Sequence, residues 1–334
     1  MSKTKFLELI NFLQKNHKVY GPVLDLASRL LVREIKNPED LVLNGRLTHY
    51  SFKNFFLPAC ESLFDYDHQK LKETNYSYKK QAIVGMTISD LKALELYDQV
   101  FAKDPYYQER RRQTLVIGYG LAGEKSYSEE LIYEQKFEED ILEHVKFDVF
   151  LELESNTTNK ISNDFCHVFA GSVEGQKVLD GFGYKDYKNI KYVGPIKENG
   201  LDKTMVAVFN KMKKGYAKKI WEDIGKRCIE CGQCTLVCPT CYCFRIDDEP
   251  SLDKGKGKRI RCWDACMYHE FSEISGKTRL LKNTEQRMWF WFYHKFVRIP
   301  FKYKIPGCVK CGRCSRVCPV DIDFMKVLQD VLKS

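Results

Sequence analysis

Apolar residues in the first two thirds of the chain alternate between helical and strand-like spacing. Phe6, Leu9, Ile10 and Leu13 recur every three or four residues and predict a helix over 3–15. Short apolar runs at 81–86, 114–118 and 147–153 predict buried strands. Asp90 is expected to cap one helix, and a further helix over 173–179 is expected to stop at Gly181. The pattern predicts an N-terminal α/β domain over residues 1–215.

The C-terminal third follows a different pattern, because a cysteine motif occurs in it twice. Cys228 begins a C-x2-C-x2-C-x3-C-P run, and Cys308 begins a second run 80 residues later. A long insert, residues 240–305, separates the two runs and carries four more cysteines. The sequence therefore predicts an α+β protein, in which a dicluster bacterial-ferredoxin-like domain over residues 216–334 follows the α/β domain.

The spacing of each run is typical of 4Fe–4S ligation, in which the first three cysteines hold one cluster and the fourth holds the other. Zinc sites use two cysteine pairs and leave the third and fourth cysteine of each run without a role. The sequence thus predicts two 4Fe–4S clusters. The first set of ligands is Cys228, Cys231, Cys234 and Cys318, and the second set is Cys308, Cys311, Cys314 and Cys238.

Four other cysteines in this region could converge on a third metal centre. They are Cys241, Cys243, Cys262 and Cys266. Four thiolates suit either a third iron–sulfur cluster or a structural zinc ion. The alternative is that they are thiols packed beside the clusters, since a buried cysteine behaves as a small apolar residue.

Composition and charge narrow the class of protein. The chain has 334 residues, of which 44% are hydrophobic and 30% charged, as expected of a globular protein. The N-terminus indicates an amphipathic helix rather than a signal peptide, no apolar run is long enough for a membrane span, and fourteen cysteines in a reducing compartment favour metal binding. We therefore expect a cytoplasmic protein with no membrane association and no disulfide framework.

The positive charge is concentrated in the C-terminal third. Residues 211–334 contain 26 Lys and Arg against 14 Asp and Glu, a balance of +12. Basic residues offset the negative charge of thiolate-ligated clusters, so we expect no nucleic-acid partner. A basic, flexible loop over 254–261 is a candidate docking surface for an acidic protein partner.

A glycine pattern follows the second apolar run. Gly118, Gly120 and Gly123 match the G-x-G-x-x-G signature of dinucleotide binding. Acidic residues follow directly and would repel a pyrophosphate, so the pattern favours a glycine turn at the end of a strand.

Several stretches together resemble a known family. They are Cys238-Pro-Thr-Cys-Tyr-Cys-Phe244, Arg261-Cys-Trp-Asp-Ala-Cys266, Asp90–Asp98 and Asp104–Arg111. The chain resembles the iron–sulfur electron-transfer subunits of cytosolic sulfhydrogenases (beta subunit) and the corresponding iron–sulfur subunits of anaerobic sulfite reductases. Family members usually carry further cysteines near Gly85 and near Gly118, and this chain lacks both sets.

The resemblance implies an electron relay. In the family, such a subunit lies between a flavoprotein NAD(P)H-oxidising subunit and a catalytic sulfite reductase or hydrogenase subunit. A non-catalytic electron-transfer subunit is therefore the expected role. The alternative is a self-contained iron–sulfur oxidoreductase with its own substrate or flavin site.

Overall fold

The protein is described here by a computed structural model. The structure describes residues 1–68, 70–73, 79–121, 141–155, 161–195, 207, 210–212, 219–253 and 255–333. These residues form two compact units, and the segments of both units alternate along the chain.

The regular elements follow in chain order. The helices are α1 (Lys3–Gln14), α2 (Lys53–Phe56), α3 (Ile88–Val100), α4 (Pro105–Arg112), α5 (Val173–Phe182), α6 (Lys219–Arg227), α7 (Gln233–Leu236), α8 (Thr284–Tyr293), α9 (Ile299–Tyr303), α10 (Arg313–Arg316) and α11 (Phe324–Lys333). A π-helical turn, His294–Arg298, joins α8 to α9. The strands are β1 (Lys18–Leu24), β2 (Leu30–Glu34), β3 (Cys60–Asp67), β4 (Lys70–Glu73), β5 (Gln81–Met86), β6 (Thr114–Leu121), β7 (Val149–Ser155), β8 (Ile161–Ala170), β9 (Lys188–Asn189), β10 (Phe244–Pro250), β11 (Lys256–Trp263), β12 (Glu273–Ile274) and β13 (Thr278–Arg279).

The first unit is built on a seven-stranded mixed sheet in the order β2-β1-β5-β6-β7-β8-β9. The four central strands β1, β5, β6 and β7 are parallel, while β2 and β8 run antiparallel to their neighbours β1 and β7. The mixed α/β character predicted for the N-terminal region is confirmed, and all three predicted strands are present.

An apolar core fills one face of this sheet. The buried side of α1 consists of Phe6, Leu9, Ile10 and Leu13, as the sequence predicts. These residues belong to one buried cluster with residues of the central strands and with Leu179 of α5. The removal of this apolar surface from water stabilises the unit.

Two helix boundaries differ from the sequence prediction. Thr87, rather than Asp90, is the N-cap of α3, and its hydroxyl accepts from the Asp90 N–H. Asp90 occupies the third helical position, and the Thr87 hydroxyl donates to its carboxylate. α5 ends at Gly183 rather than at Gly181, because Gly183 adopts the left-handed conformation with φ of 81°.

The predicted glycine turn after residue 118 is wrong, because Gly118 and Gly120 lie within β6. A Cβ atom at Gly118 would lie 2.7 Å from a ring atom of Phe150 and 2.9 Å from Leu91. The two glycines therefore make room for close packing on the sheet. Gly123, the last glycine of the pattern, lies outside the described residues.

The second unit contains a four-stranded antiparallel sheet in the order β10-β11-β3-β4. Strands β10 and β11 belong to the insert between the cysteine runs, whereas β3 and β4 come from residues 60–73. The sequence pattern does not indicate this pairing, since the two segments lie far apart in the chain. The boundary near residue 215 stays a prediction.

The basic segment at 254–261 is not the flexible loop that its composition predicts. From Lys256 onward it forms β11, which pairs on both sides. Arg259 donates to both carboxylate oxygens of Asp248 at 2.8 Å. Arg261 is buried and donates to Glu61 at 2.6 and 2.9 Å. The positive charges of Arg259 and Arg261, which the sequence predicts to serve a docking surface, are therefore paired with carboxylates within the sheet.

Aromatic side chains form the core beside the cysteine runs. Trp291 and Phe292 of α8 are buried and contact Phe324 of α11, with ring centroids 4.7 and 6.0 Å apart. Phe292 also lies 5.4 Å from the buried Trp221 of α6. The aromatic residues of α8 therefore pack into the core of the second unit.

No helix in the described part of the chain is long and apolar enough to cross a membrane.

Candidate metal centre

The two cysteine runs have the same local backbone conformation. In the first run, Glu230 and Gly232 have φ angles of 58° and 72°, and the equivalent Lys310 and Gly312 have 55° and 70°. Helices α7 and α10 begin directly after the two glycines. Glycine adopts this conformation freely, whereas Glu and Lys do so at a cost of about 1–3 kcal/mol. The repeated strain indicates that both loops are shaped for the same task.

Backbone amides point at a cysteine sulfur in each run. The Glu230 N–H donates to Cys228 Sγ at 3.4 Å, and the Ile322 N–H donates to Cys318 Sγ at 3.3 Å. Hydrogen bonds to ligand sulfur stabilise the thiolate and tune the potential of a bound iron–sulfur cluster.

The first predicted ligand set lies together in the structure. Burial raises the pKa of Cys228, and the neighbouring thiolates of Cys231 and Cys318 raise it further. Burial also raises the pKa of Cys234, and the thiolates of Cys228, Cys231, Cys238 and Cys318 raise it further. Cys318, the fourth cysteine of the second run, is therefore a neighbour of Cys228 and Cys234 in the first run.

The fourth cysteine of the first run, Cys238, has a different environment. The Cys241 thiol donates to the Cys238 sulfur and is the largest cause of its lowered pKa. Lys295 Nζ donates to the same sulfur at 3.3 Å, and Thr240 Oγ1 lies 3.3 Å from it. These groups favour the thiolate form of Cys238 over the thiol form.

The Cys238 segment is tied to the start of the second run. Thr240 Oγ1 donates to the Gly307 carbonyl oxygen at 2.8 Å. Burial lowers the pKa of Lys295, but the thiolates of Cys238, Cys241 and Cys308 outweigh burial and hold that pKa above its usual value. Cys238 and Cys308 of the second predicted set thus share one cation.

The other two cysteines of the second predicted set are Cys311 and Cys314. Both are half-buried in the second run, and neither forms a disulfide.

The turn before β10 and the end of β11 bring the other cysteine pairs close together. The Asp264 N–H donates to the Cys243 carbonyl oxygen at 3.0 Å. Burial raises the pKa of Cys243 and of Cys266, and the Cys243 thiolate raises that of Cys266 further. The pKa of Cys241 is raised by its hydrogen bond to Cys238, by burial and by Cys266. Three of the four candidate ligands of a third centre are therefore neighbours.

Cys262 differs from the expectation of a free thiol. It is the cross-strand partner of Cys60 in the β3–β11 ladder, and the two residues form a disulfide with their Cα atoms 4.0 Å apart. Directly opposed residues of antiparallel strands place their side chains side by side, which explains the pairing. Because Cys262 is held in this disulfide, the four extra cysteines of the insert do not form a set of four converging thiols.

The donor chemistry of the runs fits the clusters that their spacing predicts. Soft thiolate ligands favour iron–sulfur clusters or zinc, and a buried thiol with a raised pKa is deprotonated when metal takes the place of its proton. Among the described residues, no group of three or more His, Cys, Asp or Glu side chains is placed to hold a single metal ion. A four-iron cluster spreads its ligands more widely than a single ion does.

Three functional candidates escape the sequence analysis. Cys60 lies 202 residues from its partner, so spacing gives no signal for it. Lys295 and Lys53 are buried beside the cysteines, with 2% and 5% exposure, although the sequence alone indicates surface residues. The one sequence signal for the burial of Lys295 is its position within a run of aromatic residues.

Comparisons with known proteins identify the type of domain that contains the two cysteine runs. Residues 227–322 match the model of a 4Fe-4S dicluster domain. The chain is similar to sulfhydrogenase 2 subunit beta of Pyrococcus furiosus, with 25% identity over 98% of this chain and 96% of that protein. No solved structure matches the chain. The matched domain and its two cysteine runs imply two 4Fe–4S clusters. The chain is a homologue of the sulfhydrogenase beta subunit and carries a 4Fe-4S dicluster domain.

Proposed function

We propose that this chain relays single electrons through two 4Fe–4S clusters within a cytoplasmic multi-subunit oxidoreductase. The electron donor is a flavin-containing subunit that oxidises NAD(P)H. The acceptor is a catalytic subunit of hydrogenase or sulfite reductase type. The homology to a sulfhydrogenase subunit supports the membership of such a complex.

The observation that carries the proposal is the repeated geometry of the two runs. Each run has two left-handed residues followed by a short helix. In addition, a backbone N–H is directed at the first cysteine of the first run and at the fourth cysteine of the second run. We assign Cys228, Cys231, Cys234 and Cys318 to the first cluster, and Cys308, Cys311, Cys314 and Cys238 to the second. The proximity of Cys318 to Cys228 supports this crossed assignment.

The residues of this chain bind the clusters and set their surroundings. When bound, each cluster accepts and releases one electron. The cysteines supply thiolates, the amides of Glu230 and Ile322 support the negative charge on sulfur, and Lys295 balances the charge near Cys238. Trp291 and Phe292 of α8 and Phe324 of α11 are themselves buried.

The four remaining cysteines stay candidates for a third centre, either a cluster or zinc. Cys241, Cys243 and Cys266 are mutual neighbours, which supports a shared role. Cys262 would have to separate from Cys60 in order to join them. Metal analysis of the Cys266→Ala variant tests this set: a third cluster predicts a loss of about four irons, and zinc predicts the loss of one zinc ion.

Anaerobic purification followed by iron and sulfide analysis tests the two-cluster proposal. We expect about eight irons and eight sulfides per chain, or about twelve of each with a third cluster. The reduced protein is expected to give EPR signals from two interacting clusters. A content near four irons, or zinc in place of iron, would contradict the proposal. Flavin in the purified single chain would instead favour a self-contained oxidoreductase.

A further inference from the structure

A buried lysine lies beside the sulfur of Cys238, the fourth cysteine of the first run. Lys295 lies on the π-helical turn after α8 and is 2% exposed. Its Nζ atom donates to Cys238 Sγ at 3.3 Å and also to Thr240 Oγ1. Single π-turns in helices occur often at functional sites, because the extra residue redirects a side chain. The turn therefore holds an ammonium group against a cysteine sulfur.

A second buried lysine lies in the same surroundings. Lys53 is 5% exposed, and its Nζ atom donates to the Thr235 carbonyl oxygen at 3.2 Å. The same ammonium group lies 3.9 Å from the centroid of the Trp263 ring. Lys53 does not donate to a cysteine sulfur in the structure, so its effect on Cys238 is through space.

The equivalent cysteine of the second run lacks such a cation. Cys318 Sγ accepts from the Ile322 N–H at 3.3 Å, and within the described residues no ammonium or guanidinium group is hydrogen-bonded to it. Arg227 contacts the residues that follow Cys318. Its guanidinium is exposed and donates to the carbonyl oxygens of Val320 and Asp321 rather than to sulfur.

This asymmetry matters because charge and hydrogen bonds control the potential of a cluster. A cation or a hydrogen bond at a ligand sulfur stabilises the extra electron of the reduced cluster and raises its reduction potential. The effect of a buried cation is larger than that of an exposed one, since water screens the exposed charge.

We propose that Lys295 raises the reduction potential of the cluster ligated by Cys238 above that of the cluster ligated by Cys318. This inference rests on the proposed two-cluster function. One electron enters from the flavin subunit, occupies the Cys238-ligated cluster in preference to the other, and leaves to the acceptor subunit without any bond being made or broken. Lys295 acts through the sulfur of Cys238 and is therefore a positioning residue.

The direct test is an EPR-monitored redox titration of the Lys295→Met variant in the full chain. We expect the potential of one cluster to fall by about 59 mV or more, which corresponds to a tenfold change in a one-electron equilibrium. The other cluster should keep its potential. Lys295→Arg retains the charge and should restore most of the shift, while Lys53→Met should give a smaller decrease.

Lys302→Met is the matched control, because it removes the same charge from an exposed position a few residues away. It should leave both potentials unchanged. Unchanged potentials in Lys295→Met, or an equal shift in Lys302→Met, would overturn the inference.

A second experiment avoids any loss of folding in the lysine variants. Cys238→Ser and Cys318→Ser each perturb the EPR signal of one cluster and so identify it in a chain that retains Lys295. The signal perturbed by Cys238→Ser should belong to the cluster of higher potential. The inference is wrong if it belongs to the cluster of lower potential. A wild-type chain without two clusters would instead contradict the proposed function itself.

Discussion

The two units of this protein hold their structures by different means. The first unit packs apolar side chains of α1 and α5 against a seven-stranded sheet. The second unit contains most of the cysteines of the two runs, two buried lysines, and strained backbone at Glu230. Buried polar groups and strain cost free energy, so they need a compensating interaction. From this difference we expect that apolar packing suffices for the first unit, whereas the second needs bound metal in addition to its aromatic core.

The largest expected effect is that of iron removal. Anaerobic chelation should abolish amide-exchange protection across residues 227–322, because metal binding contributes of the order of 10 kcal/mol to folding in small metal-dependent domains. The strands β1, β5, β6 and β7 should keep their protection. Mass spectrometry of the exchanged peptides measures both regions in one sample. Equal loss of protection in the two units would contradict the distinction between them.

A second prediction concerns the buried ion pair of the four-stranded sheet. The side chains of Glu61 and Arg261 are 5% and 8% exposed. Glu61→Gln leaves the arginine buried without its counter-charge and should destabilise this sheet by about 3–5 kcal/mol. Amide exchange of β3 and β11 provides the measurement.

The control for this pair is Asp248→Asn. It breaks the half-exposed pair between Asp248 of β10 and Arg259, which lies on β11 like Arg261. Exposed pairs contribute about 1 kcal/mol or less, so exchange should change little. Equal effects of Glu61→Gln and Asp248→Asn would show that burial does not matter here.

A third prediction tests the apolar core of the first unit. Leu9 is fully buried, and Leu9→Ala should destabilise this unit by about 2–5 kcal/mol. Iron content should remain at the wild-type value, because Leu9 packs within the apolar core of the first unit. Leu26→Ala is the control, since Leu26 is fully exposed. Iron loss in Leu9→Ala would link the stabilities of the two units.

The smallest expected effect is that of a helix cap in the first unit. The Thr87 hydroxyl accepts from the Asp90 N–H at the start of α3. Thr87→Ala should cost about 1 kcal/mol, since it leaves this amide without its partner. Denaturation followed by circular dichroism would measure the change. A loss of stability larger than that of Leu9→Ala would contradict the expectation that this cap contributes less than core packing does.

The sequence predicts the local features of both units well. The spacing of Phe6, Leu9, Ile10 and Leu13 predicts α1, because one helical face reads directly from the chain. The cysteine spacing predicts both cluster loops, because each run is short and its ligands are local. The crossed contribution of Cys318 to the first cluster stays a prediction from the repeat.

The features that the sequence does not predict depend on distant pairing. The β3–β11 ladder joins segments about 200 residues apart, and neither the disulfide of Cys60 nor the burial of Arg261 can be read from spacing. The basic composition of 254–261 predicts a loop, but cross-strand carboxylates allow the segment to form a strand. Tertiary context overrides local preference at such positions.

The most direct test of the relay function is to count the electrons that one chain accepts. A stoichiometric anaerobic titration of the oxidised protein with a chemical reductant gives this number. We predict two electrons per chain from the paired clusters, and one more if the third centre is a cluster. The uptake of one electron or none by a chain with full iron content would contradict a two-cluster relay.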